Sequence, residues 1–369
     1  MFMRMLKYIP IVLILVYSAN AQVGVGSFQS IRSVQVGGGY QYWSAGNDQI
    51  RQFAIPVTLN WSVNDNLKLD VTSTPAFNSY VSQATYDLGG LSDTRLRGAY
   101  LFDNETMMFT FGVNLPTGKS ALSQDEFQVA SKLAYHAFDF ASPILGQGMD
   151  ISAGFVMVRD WQDFIIGFGA GFLYRGAYQP FSDSDLDYNP GEEFSISGGV
   201  DYYTGRNSKL MFDLGYTIYG DDKANDLAVF KSGNRISLQA IWAIDQKPIS
   251  WLFMARNRIQ SKNQAGSGDL VPERLNSNGN EFDMTGMGFL TWQPGTKIRG
   301  LVNFKLYSDN AYGLGGATLM GLGGGLNQAI TPVLYFDGEL RFYFGSINSG
   351  TENTGLSGFQ AMGGFKVYL

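Results

Sequence analysis

The sequence predicts an all-β protein, a transmembrane antiparallel β-barrel of about 16 strands, or about 14, with short periplasmic turns, long extracellular loops and one short loop helix. Three observations predict it. Apolar and polar residues alternate with period two in segment after segment, and the gaps between segments are alternately short and long. The chain is also rich in aromatic residues, 27 Phe, 20 Tyr and 6 Trp, while only 16% of it is charged. Period two is the mark of a strand because successive side chains point to opposite faces, and aromatic side chains suit pleated surfaces.

At the front, Arg4 and Lys7 precede an apolar run from Ile9 to Tyr17 that ends in Ala19-Asn20-Ala21. A basic start, a short greasy stretch and a small-x-small end make a cleaved export signal, expected over 1–21. The run is too short to span a bilayer, and no later stretch approaches the roughly 18 unbroken apolar residues of a transmembrane helix. Residues 22–32 are expected as a short periplasmic or lumenal segment and 33–369 as the barrel, in the outer membrane of a Gram-negative cell with lipid around it. Without cysteine the exported chain has no disulfides, so stability must come from a large core or a closed sheet. A net charge of -6 speaks against nucleic acid as a partner, since phosphate binding needs a basic face.

The first strand is expected over 33–45 and the last over 357–369. Between them, short gaps fall at 63–65, 103–104, 160–162, 204–207, 245–248, 293–295 and 329–332, and long polar gaps at 83–92, 179–192, 221–233, 263–280, 309–316 and 346–356. Short turns at one rim and long loops at the other are the plan of outer-membrane barrels. Residues 127–140 would upset the count if read as a strand. Ser123 followed by Glu126, with Asp125 in the first turn, is instead a capping box. Phe127, Ala130, Leu133, Ala134 and Ala137 then fall on one helical face. With this helix inside one long outer loop, 115–148, every later loop lies on the same side. Indole rings favour the headgroup level, and five of the six tryptophans, Trp61, Trp161, Trp242, Trp251 and Trp292, lie at short turns, with Trp43 near the opposite edge.

Alternation then separates a lipid face from a lumen face. Leu334, Phe336, Leu340, Phe342 and Phe344 are expected to face acyl chains, and Tyr335, Asp337, Glu339, Arg341 and Tyr343 the lumen. Further inward candidates are Asp93, Arg95, Arg97, Arg256, Arg258, Arg299, Asn303, Lys305 and Tyr307. An arginine on the lipid side at midplane would cost about 2 to 4 kcal/mol, which decides the assignment. Two roles are open to these arginines: neutralisation by Asp93, Asp337 and Glu339 across the lumen, or a ladder that guides anions.

Other chemistry is sparse. His136 is the only histidine, so no His/Cys metal site and no Ser/His pair is available around it. No cofactor is implied and no enzyme activity is expected. The acidic run 182–193, with Asp183, Asp185 and Asp187, is a weak candidate for Ca²⁺, but it lacks the glycine of the EF-hand register. The glycine runs 167–172 and 321–327 lie inside strands, where glycine admits a bend, a close neighbour or lumenal space rather than a phosphate.

At "GGLSDTRLRGAYLF", 89–102, followed by "FGVNLPTGKS", 111–120, the chain resembles the phenol meta-pathway outer-membrane family and, more loosely, fatty-acid-transporter-like (FadL-like) barrels. The resemblance implies channels for small hydrophobic or aromatic compounds. Two departures stand out: only 22–32 precede the first strand, too little for a full N-terminal plug, and the chain ends in Leu369 rather than an aromatic residue. The expected function is passive passage of small solutes, with 115–148 narrowing the mouth. The alternative is a non-transporting surface barrel, an adhesin or part of a secretion or surface assembly.

Overall fold

The computed structural model describes residues 32–102, 106–348, 350 and 353–369. The expected export signal, nearly all of 22–32 and the turn at 103–104 lie outside the described residues.

Strand β1 (Arg32–Ala45) pairs antiparallel with the last strand of the chain, Asn353–Tyr368, from Ser33↔Tyr368 to Ala45↔Leu356. That seam closes the sheet on itself, so it has no edge to protect. On its other side β1 meets two short strands end to end, β2 (Asp48–Ala54) and β3 (Val57–Ser62). The next two staves are divided at the same diagonal: β4 (Leu67–Ser73) continues into β5 (Ala76–Val81), and β6 (Thr85–Gly90) into β7 (Thr94–Leu101). The first two breaks fall at Pro56 and Pro75, which have no N–H for a ladder bond. Their carbonyls still serve, accepting from Gly37 (2.9 Å) and Ile55 (2.8 Å), and Ser92 Oγ accepts from the Thr74 amide (2.8 Å). The gap expected at 83–92 is therefore mostly strand: the turn is confined to 82–84, and the polar look of β6 reflects one wet face.

The remaining staves form a plain meander: β8 (Met107–Leu115), β9 (Asp150–Trp161), β10 (Phe164–Arg175), β12 (Glu193–Gly205), β13 (Ser208–Tyr219), β16 (Arg235–Gln246), β17 (Ile249–Gln260), β20 (Glu281–Gln293), β21 (Thr296–Tyr307), β22 (Ala317–Ala329), β23 (Leu334–Asn348) and β24, the closing strand. Taking each divided stave as one, the barrel has sixteen; the connections at the rim of the chain ends are short throughout, while the other rim carries the long loops together with tight turns at 46–47 and 82–84. At the other rim, three loops expected to be irregular carry β11 (Tyr188–Asn189), β14 (Asp222–Ala224), β15 (Leu227–Lys231), β18 (Gln264–Ser267) and β19 (Asp269–Pro272), a separate five-stranded sheet. Segments this short have no readable period.

The two faces divide as the alternation requires. On β23, Leu340, Phe342 and Phe344 are about half exposed, at 51%, 48% and 57%, while Glu339 and Tyr343, of the other parity, are buried. The same outward parity exposes Phe168 and Phe172 on β10, Phe212 and Leu214 on β13, and Val302 and Leu306 on β21. This is an apolar belt matched to acyl chains. Trp61, Trp161, Trp242, Trp251 and Trp292 stand exposed on it near the short-turn rim. Trp43 does not belong with them: it is only 2% exposed, on the opposite face.

Helix α1 (Gln124–Leu133) forms where its capping box places it, with Glu126 N–H donating to Ser123 Oγ (3.4 Å) and Ser123 N–H to Glu126 Oε2 (3.0 Å). Lys119 adds an ion pair to Glu126. The buried face differs from expectation. Val129 and Leu133, one turn apart, are buried, whereas Phe127 and Ala134 are exposed and Phe127 rests on Phe181 at 5.3 Å.

Candidate functional site

The loop after β8, residues 116–149, contacts strands from opposite parts of the circle, which it can do only from inside the barrel. Its apolar residues Val129, Leu133, Ala137, Phe138, Phe140 and Leu145 form one core with Trp43, Ile50, Ala54, Ala76, Tyr80 and Leu88 of β1, β2, β5 and β6, and with Leu319, Tyr343 and Leu356 across the seam. Trp43 sits at its centre, 5.1 Å from the Phe138 ring and 4.8 Å from Tyr343. The ring expected at a lipid rim is instead the floor on which the loop lies.

Two glutamines hold the loop backbone as a neighbouring strand would. Gln41 Nε2 donates to Asp139 O (3.1 Å) while its Oε1 accepts from Ala141 N–H (2.7 Å). Gln52 Nε2 donates to Ser142 O (2.8 Å) and Asn78 Oδ1 (2.7 Å), and its Oε1 accepts from Ser142 N–H (2.9 Å). Both side chains are buried, Gln41 at 2% and Gln52 at 1% exposure, so no water competes for these bonds.

The loop tip meets charges on the far wall. Asp139, in the left-handed region at φ +54, pairs with Lys305 at 3.2 Å, and His136 Nδ1 lies 3.1 Å from Glu281 Oε1. Tyr307 OH donates to His136 O (3.4 Å), and Tyr135 OH to Gly315 O (3.1 Å). Burial pushes the Asp139 carboxyl up, but Lys305, Arg256 and Arg341 outweigh it and hold the group below its ordinary value.

Each residue singled out from sequence can now be placed. Arg256 pairs with Asp283 at 2.7 Å and Arg258 with Glu281 at 3.2 Å. Arg299 bridges Asp337 (2.9 Å) and Glu339 (2.8 Å), and Arg341 also pairs with Glu339. Asn303 donates to Thr285 Oγ1 (2.7 Å), and Tyr335 meets the Tyr368 ring edge-on at 5.3 Å. Arg97 donates to Ser152 Oγ (3.2 Å), whereas Arg95, opposite Thr72 and Asn114, is exposed. Asp93 was expected to neutralise an arginine. It accepts instead from the amides of Gly118 (2.9 Å) and Gln147 (2.8 Å), tying together the two roots of the inserted loop.

The glycines of 321–327 seat the charged row. A β-carbon on Gly325 would stand 2.5 Å from Arg299 Nε, and one on Gly321 2.7 Å from Tyr343 Cε1. Asp183, Asp185 and Asp187 are exposed, and no three acidic or histidine groups among the described residues converge to hold a metal ion.

Alternation also concealed a second zone. Met211, Ile241 and Leu252 share the face of Arg256 and Asp283 yet form a buried apolar cluster nearer the short turns, with Met254, Met287 and Phe289 packed against it. Val156, Val158 and Ile165 form a similar cluster on β9 and β10. On this wall an apolar patch lies below Arg256 and Asp283, while elsewhere the ion pairs reach the short-turn rim, as in Lys209 with Asp201 and Arg299 with Asp337 and Glu339. Apolar residues of both parities, as in "LMF" at 210–212, erase the alternation that would have signalled this.

No protein-family model matches the sequence, and no curated protein matches it. Among solved structures the fold is similar to a mutant of the TodX monoaromatic hydrocarbon channel, at TM-score 0.49 and 9% identity over 92% of this chain and 91% of that one. It is also similar to the CymD monoaromatic hydrocarbon channel (TM-score 0.44, 12% identity, 93% and 90% covered). A third is an outer membrane channel from Pseudomonas putida F1 (TM-score 0.39, 12% identity, 92% and 96% covered). The closed sixteen-stave sheet rests on the chain's own strand pairing.

Proposed function

We propose that the chain is a passive outer-membrane channel for small solutes, hydrophobic or aromatic compounds among them. The observation that carries this reading is the closed sheet with an apolar outer belt and an inner face that sets a methionine-rich apolar patch among ion-paired charges. Solute enters under the outer loops, passes the inserted loop 116–149 and leaves past a wall that offers both ion-paired charge and the apolar patch, which favours solutes that tolerate both surroundings. The inward Asp93, Arg95, Arg97, Arg256, Arg258, Arg299, Lys305, Tyr335, Asp337, Glu339 and Arg341 line the path or hold its walls. Liposome swelling with sugars, amino acids and benzoate-like compounds tests the reading. Faster entry of the aromatic solutes supports it, and no entry of any class overturns it. The five-stranded outer sheet favours a second reading, display of a binding surface to a partner, which predicts stable capture of that partner by a barrel that passes nothing.

A further inference from the structure

Ion pairing separates five arginines of the inner face from two others, Arg97 being held by Ser152. Arg256, Arg258, Arg299 and Arg341 each lie against a carboxylate, and Arg175 pairs with Glu193. Charges neutralised at contact distance leave little field for a passing ion. Arg95 and Arg235 form no ion pair among the described residues. The register fixes both on the inner face. Arg235 stands opposite Thr217 and Gln260, four residues before Gln239, which faces Arg256. Arg95 stands opposite Thr72 and Asn114, two residues before Arg97. Arg235 has, in place of an acid, the Tyr219 ring 5.7 Å from its guanidinium carbon. Arg235 begins β16 at the loop end of the barrel. Two further cations of this face, Lys297 and Lys366, lie close to the short-turn rim, and Lys366 rests over the Tyr368 ring at 4.9 Å.

We propose that Arg95 and Arg235 set the charge selectivity of the lumen, and that Arg235 with the Tyr219 ring is a station for small carboxylates, the ion-paired arginines being wall rather than ladder. The inference rests on the channel reading above. A guanidinium offers a planar fork of donors that fits a carboxylate in two parallel bonds, and the ring beside it gives an aromatic carboxylate a face to lie against. An arginine already held by Asp or Glu has spent that fork.

Planar-bilayer recordings under a KCl gradient test it, with the full chain and its R95Q, R235Q and double variants, each checked for the heat-modifiable gel mobility of a folded barrel. One unit charge ~7 Å from an ion in water changes the local concentration of an anion about threefold. The anion-to-cation permeability ratio is therefore expected to fall several-fold in the double variant, to persist in R95K and R235K, and to stay unchanged in R206Q, a periplasmic-turn arginine outside the lumen. Benzoate should reduce the wild-type current more than inorganic phosphate does, and R235Q should abolish that difference. Conductance with an unchanged ratio in the double variant overturns the inference alone. An equal fall in R206Q also overturns it, by assigning the effect to overall charge. A wild type that conducts nothing overturns the channel reading itself. Should R235Q fail to fold, R95Q and R235K decide the matter.

Discussion

Replacing Gln52 with leucine should free the inserted loop without disturbing the barrel. The two side chains are close in volume, so no cavity opens, but leucine neither donates nor accepts. Three buried partners lose their bond: the Ser142 amide, the Ser142 carbonyl and Asn78 Oδ1. Leaving a buried polar group unsatisfied costs about 1 to 3 kcal/mol, and partial relaxation of the loop recovers some of that, so docking of the loop should weaken by about 2 to 4 kcal/mol. At about 1.4 kcal/mol per factor of ten, the protection of the Ser142 amide against hydrogen exchange should fall about 30- to 1000-fold, because exchange there requires the loop to lift. Amides of the barrel strands on the opposite wall, such as those of β13, should be unaffected. Exchange measured by mass spectrometry on the detergent-solubilised chain gives both numbers. Ser142 protection within a factor of three of the wild type would refute the claim that this glutamine holds the loop.

Trp43→Ala removes the centre of the same core and should cost about 3 to 5 kcal/mol, read as a lower urea midpoint for unfolding from lipid vesicles and a larger single-channel conductance. The Asp139 carboxyl lies below its ordinary value, so its contribution to docking is present at neutral pH and is lost as pH falls through and beneath the usual carboxylate range. The protection of the loop amides, referred to the intrinsic exchange rate at each pH, should fall once the pH drops below about 4 in the wild type, and this fall should be smaller in D139N, where Glu126 and Glu281 still titrate. Phe342→Lys puts a charge on the lipid face and should lower folding into vesicles by about 2 to 4 kcal/mol, whereas Ser237→Lys on the inner face should fold with nearly wild-type yield. Arg299→Ala leaves Asp337 without its cation while Glu339 keeps Arg341, and should destabilise the barrel by about 1 to 3 kcal/mol, measured by the same vesicle titration.

The parts of this protein legible in its sequence are those where a local rule meets a single environment. Leu340, Phe342 and Phe344 had to face one solvent and Glu339 and Arg341 another, so parity alone placed them. Ser123 and Glu126 marked the helix because a cap is satisfied within four residues. What failed to show depended on partners distant along the chain. Gln41 and Gln52 are inward polar residues, and nothing nearby distinguishes a glutamine that meets water from one that clamps a peptide some ninety to a hundred residues on. Trp43 lies at a strand end, where a tryptophan facing lipid and one facing a folded loop have the same neighbours in sequence. Asp93 sits in phase with Arg95 and Arg97, yet the strand breaks at 91–93 and turns its carboxylate to the loop roots.

The five-stranded sheet above the barrel has a consequence for biogenesis. Its strands are lent by three loops, each tethered at both ends to staves between β10 and β20, so no pair of neighbouring loops can dock until the staves beneath them stand side by side. Such pairings, remote in sequence, are late events in folding. The canopy is thus expected to form after the staves beneath it, and an antibody against its β15 and β18 junction should recognise finished molecules and pass over half-inserted ones.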